Sequence, residues 1–80
     1  MVKGCMPLAF ARQGQTVVVV GCAGGHGARM RLADLGIVPG ASLRVIGGGW
    51  GGPAIVEVRG CRLGVGHGLM HRILVKEADI

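Results

Sequence analysis

The sequence predicts an all-β fold: a small barrel of about five short strands with one short α-helix inserted. Three observations carry this reading. Short valine-rich segments recur at 17–20, 43–46, 54–58 and 73–75, each of strand length. Glycine supplies 17 of 80 residues, against about 7% in average proteins. These glycines have no Gly-X-Y period and sit where the valine-rich segments end, as tight turns require. Only one segment, 26–35, repeats at helical spacing. A barrel suits such strands because closure leaves few free edges.

Taken in order, residues 1–15 form a lead-in arm with one apolar cluster, Met6, Leu8 and Phe10. Residues 17–20 are a continuous β-branched run, the pattern of a strand covered on both faces. Residues 21–27 read as a loop, and the helix spans 26–35, with Ala28, Leu32 and Leu35 at i, i+4 and i+7 on one stripe. Gly36 follows the last periodic residue, where a left-handed helix stop favours the absence of Cβ. Pro39 forbids continuation and pushes Val38 into an extended conformation. Pro39 and Gly40 suit the two central positions of a type II turn, since proline fixes φ and glycine accepts a positive one.

The second strand covers 43–46 and is broken by the glycine-rich stretch 47–53. Ala54, Val56 and Val58 then alternate with Ile55, Glu57 and Arg59, as a strand with a mostly polar outer face should. Arg59 and Gly60 reverse the chain, after which Cys61, Leu63 and Val65 share a face. Residues 66–71 form a crossover with one helical turn, and 73–75 are the last strand. There is no internal repeat and no sign of a second domain.

Eighty residues make one domain with a marginal core, since a chain this short buries only about 60% of its unfolded surface. Self-association as a dimer or trimer is one expected remedy. No apolar run approaches the ~18 residues of a membrane span, and residues 1–10 lack the long apolar region of a signal peptide. Cys5, Cys22 and Cys61 are odd in number and irregularly spaced, which disfavours a disulfide framework and fits a reducing, cytoplasmic setting.

Several motifs promise more chemistry than they hold. Gly47, Gly49 and Gly52 formally satisfy G-x-G-x-x-G, but Pro53 and a strand follow where a dinucleotide site needs a helix. Residues 21–27 do precede a helix, yet lack the Gly-Lys-Ser/Thr ending of a phosphate loop. His67 and His71 are four apart, Cys61 lies six before His67, and Cys22 and His26 share the spacing of four. Imidazole and thiolate suit Fe(II) or Zn(II), so a metal-binding or metal-sensing module using His67, His71 and Cys61 is one alternative reading. Against it, Gly66 and Gly68 weaken the helix such a set needs, and there is no Cys-x-x-Cys pair or His-Glu-x-x-His run.

The four acids, Asp34, Glu57, Glu77 and Asp79, form no evident general acid–base pair, and the chain reads as a non-enzyme. The formal net charge of +5 suggests an acidic partner. A basic nucleic-acid-binding barrel is a further alternative, but Phe10 and Trp50 are the only aromatics available for base stacking, and they are far apart in the chain. Trp50, flanked by glycines, reads either as a lid on the barrel or as an exposed interface anchor.

Taken together, several segments resemble the FeoA family: Met6-Pro7-Leu8, Gly14-Gln15, the strand 17–21, the Arg31-Leu32-x-x-Leu35-Gly36-x-x-Pro39-Gly40 element, the hairpin 53–60 with Leu63, and the strand 72–75. The order and spacing of these segments carry the resemblance. It implies an SH3-like barrel, shared with a domain of some iron-dependent repressors. It also implies a cytosolic accessory role in ferrous-iron uptake through contact with the FeoB transporter, which bears a GTP-hydrolysing domain, with no cofactor required. The contact surface it suggests is Arg31, Leu35, Gly36, Ile37, Pro39 and Gly40, with Trp50 nearby. Phe10, Gln13 and the glycine-rich 64–68 segment depart from the family pattern.

Overall fold

The computed structural model describes residues 5–48 and 53–78. Its strands are β1 (Met6–Pro7), β2 (Thr16–Cys22), β3 (Ser42–Gly48), β4 (Ala54–Val58), β5 (Cys61–Val65) and β6 (Ile73–Glu77). A 3₁₀ turn covers Leu8–Phe10, α1 spans His26–Asp34 and α2 spans His67–Arg72. The strands form one antiparallel sheet in the order β1-β6-β2-β3-β4-β5.

Register follows the alternation of apolar residues. Val19 faces Val75 across β2 and β6, Val45 faces Val56 across β3 and β4, and Val56 faces Leu63 across β4 and β5. Val17, Leu43, Val56, Ile73 and Val75 are thereby buried on one side of the sheet, joined by Leu8 from the 3₁₀ turn, Leu32 from α1 and Met70 from α2. Two bulges bend the sheet around this core, one between Val19 and Gly21 and one between Val45 and Gly47; an extra residue on one strand kinks it and increases its twist.

The all-β architecture with an inserted helix is as the sequence predicts, with five differences. A sixth, two-residue strand, β1, pairs with β6 because Met6 and Pro7 run alongside Val75 and Leu74. The crossover is a six-residue helix, α2, rather than a single turn. The run 17–20 is not covered on both faces: Val17 and Val19 are buried, but Val20 sits in the bulge and is 40% exposed. Phe10 also leaves the expected apolar cluster and is 67% exposed, whereas Leu8 is fully buried. The second predicted strand continues through Gly47 and Gly48.

The lead-in arm is tied down by polar contacts. The Gly14 amide donates to the Val45 carbonyl at 2.6 Å, and the Val45 amide donates to the Gln15 carbonyl at 3.1 Å. The Gln15 side chain accepts from the Arg12 amide at 2.8 Å and donates to the Glu77 carboxylate at 3.4 Å. The hairpin between β4 and β5 is a two-residue turn with Arg59 at φ +51° and Gly60 at +81°, the positive values that match strand twist. Among the described residues no helix is long and apolar enough to cross a membrane.

Candidate functional site

The segment after α1 is shaped by its backbone chemistry. Leu35 caps the helix and Gly36 takes φ +90°. The Gly36 amide then donates to the Ala33 carbonyl at 3.0 Å, and the Ile37 amide donates to the Leu32 carbonyl at 2.9 Å. These are the two bonds of a Schellman stop, which satisfy carbonyls the helix end would leave orphaned. Three residues on, the Ala41 amide donates to the Val38 carbonyl at 2.9 Å, with Gly40 at φ +92°. Pro39 and Gly40 therefore occupy the centre of a hydrogen-bonded turn, as the sequence predicts, with the positive φ at the second central position that marks type II. The Gly40 amide and the Val19 carbonyl lie 2.8 Å apart, as do the Val19 amide and the Ala41 carbonyl, so the turn is clamped to β2.

This clamp decides which side chains face outward. Leu35 is 44% exposed although it lies on the predicted apolar stripe, and only Leu32 of that stripe is buried. Ile37, expected on the contact surface, is 4% exposed and belongs to the core. A Schellman stop folds the residue after the glycine back onto the last helical turn, here Ile37 toward Leu32. Pro39 and Gly40 are exposed, and Gly36 and Val38 are half-buried.

The turn forms a ridge between two open grooves. One, of about 510 Å³, runs between α1 and the β2–β6 face; its apolar walls include Leu32, Ile37, Val38, Pro39 and Leu74, with Arg29 at its polar edge. The other, of about 520 Å³, is lined by Val38, Pro39, Gly40, Ala41, Ser42, Val58 and Arg59. Arg31 does not border either groove. It lines a separate cleft between α1 and α2 together with Arg72, Leu69, Gly66 and Gly68. The roles of Arg29 and Leu74 were not legible in the sequence, because the groove exists only where β6 comes to lie beside α1.

Other predicted site residues are scattered. Trp50 lies outside the described residues. His67 and His71 are brought together on α2, with ring centroids 5.4 Å apart in an edge-to-face arrangement. Cys61 does not join them: it opens β5, at the far end of the strand from α2. Among the described residues no three His, Cys, Asp or Glu side chains group as metal ligands. The thiol of Cys22 donates to the Ala23 carbonyl at 3.4 Å, and all three cysteines are free. Glu57 lies directly opposite Arg44 on one neighbouring strand and Arg62 on the other.

Comparison with known proteins places this geometry in context. Residues 6–77 match the FeoA domain model. The chain is 40% identical over 73 residues to the "Putative Fe(2+) transport protein A" of Methanocaldococcus jannaschii, covering 91% of this chain and 88% of that protein. Among solved structures it resembles the crystal structure of an iron uptake regulatory protein, FeoA, with TM-score 0.83, 36% identity, and 92% and 97% of the two chains covered. It also resembles the zinc-complexed FeoA of Stenotrophomonas maltophilia, a protein described as a prokaryotic SH3 domain, with TM-score 0.76, 26% identity and 89% of each chain covered.

Proposed function

The chain belongs to the FeoA family, and on that premise we propose that it is a non-catalytic accessory protein of ferrous-iron uptake, acting in the cytosol by contact with the cytosolic region of FeoB. The observation that carries this reading is the exposed Pro39-Gly40 turn, which borders two open grooves and follows closely after an exposed Leu35 at the end of α1. An apolar side chain of the partner fits the groove between α1 and β6, where burial stabilises by about 25 cal/mol per Å² of apolar area removed from water. Arg29 at the groove edge favours a partner with acidic groups around that side chain. Docking here uses Leu35, Pro39 and Gly40 directly, while Gly36 and Ile37 hold the ridge in shape and Arg31 acts from the neighbouring cleft.

The test is binding of the purified protein to the cytosolic region of FeoB from the same source, with and without a non-hydrolysable GTP analogue. Saturable binding that changes with nucleotide supports a regulatory contact. In that assay Leu35→Glu weakens binding about tenfold or more, as loss of a central interface contact does, without unfolding the protein. Absence of binding in both nucleotide states, with folding verified, overturns the proposal, and unchanged binding by Leu35→Glu removes the ridge from it.

A further inference from the structure

We propose that His67 and His71 form a two-imidazole chelate for a divalent first-row transition metal on the outer face of α2. Residues four apart on a helix lie within about 40° of each other around its axis, and both histidines are exposed. Met70, about 60° from His67 and about 100° from His71 around the axis, is buried and anchors the helix to the core. Gly68, Leu69 and Arg72 line the cleft toward α1. Arg72 is turned to the loop before α1, where its Cδ and a guanidinium nitrogen lie 3.5 and 3.7 Å from the position a Cβ would take on Gly24. Its charge is thus directed away from the imidazole pair.

The separation of the rings matches what one ion demands. A metal sits ~2.0–2.1 Å from an imidazole nitrogen, hence about 3.2 Å from the ring centre, and a tetrahedral angle between two such ligands puts the centres about 5.2 Å apart. The observed separation is 5.4 Å. Rotation about χ2, a broad torsion, reorients the nitrogens of each ring with little change in the separation of the ring centres. Among the described residues no third ligand joins the pair, so the remaining coordination positions go to water or to a donor from another molecule. That makes the site open and exchangeable rather than structural. Imidazole ligands and the general order of divalent affinities favour Ni(II) and Zn(II) over Fe(II), with Mn(II) weakest.

The experiment is calorimetric titration of the full chain with Ni(II) and Zn(II) under reducing conditions, combined with NMR line broadening by paramagnetic Co(II). One ion binds per chain, broadening centres on residues 66–72, and His67→Ala or His71→Ala each lowers affinity about tenfold or more. His26→Ala and Cys61→Ser leave affinity unchanged. The inference is overturned if the wild-type chain shows no saturable binding, if binding survives both α2 substitutions, or if Cys61→Ser abolishes it.

Discussion

Two glycines with closely matching positive φ offer a controlled test of the packing described above. Gly40 and Gly48 have φ of +92° and +87°, so a side chain at either position meets similar backbone strain, on the order of 1–2 kcal/mol. Reduced freedom of the unfolded chain offsets about 0.4–1 kcal/mol of that. They differ in surroundings. A Cβ on Gly40 has nothing within 4 Å, whereas one on Gly48 would sit 2.6 Å from the Pro53 carbonyl oxygen and 3.1 Å from the Ala54 Cα. Both of those atoms are backbone at the start of β4, which pairs Ala54 with Gly48, so the clash is relieved only by parting the strands. Overpacking of this kind costs a further ~1–3 kcal/mol. Gly40→Ala is therefore expected to cost about 1 kcal/mol, and Gly48→Ala about 2–4 kcal/mol. A difference of about 2 kcal/mol corresponds to a gap of roughly 8–16 °C in Tm for a domain of this size. Urea and thermal denaturation followed by far-ultraviolet circular dichroism measures both. Equal losses, within about 0.5 kcal/mol, would refute the close approach of β3 and β4 at Gly48.

Further outcomes follow from the site. Ile37→Ala should cost about 2–5 kcal/mol of unfolding free energy, as for other buried large-to-small changes, while Leu35→Ala should cost under about 1 kcal/mol; chemical denaturation checks the contrast. Gly36→Ala should lose about 1–2 kcal/mol through strain at its positive φ, read as a lower urea midpoint. Gly68→Ala, inside α2 with open space around its Cβ, should stabilise by up to about 1 kcal/mol through helix propensity, seen as a higher Tm. Trp50→Ala separates the two roles expected of that side chain: a large drop in Tm marks a lid on the core, and intact stability with lost FeoB binding marks an anchor.

Ile37 shows how much of the site was legible and where the reading went astray. Its burial was available from sequence, because a glycine helix stop predicts contact between the residue after it and the last helical turn; treating the whole 35–40 element as surface overlooked that rule. Phe10 and Val20 are different. Their exposure depends on how the lead-in arm and the β2 bulge meet β6, and no local pattern encodes that meeting. The pairing of Met6 and Pro7 with β6 was hidden for the same reason, since two residues carry no periodicity.

The sequence by itself determined the features whose causes are local: the helix end at Gly36, the turn at Pro39 and Gly40, the Arg59-Gly60 hairpin, and the alternation along β4. Each is set by the φ a residue tolerates or by which face of a strand it occupies, within a few neighbours. The tertiary structure alone decided the groove beside Pro39, the placement of Arg29 on it and Arg31 off it, and the separation of Cys61 from the two histidines. These depend on which strand lies beside which helix, a relation between segments tens of residues apart that follows from burying the whole core at once.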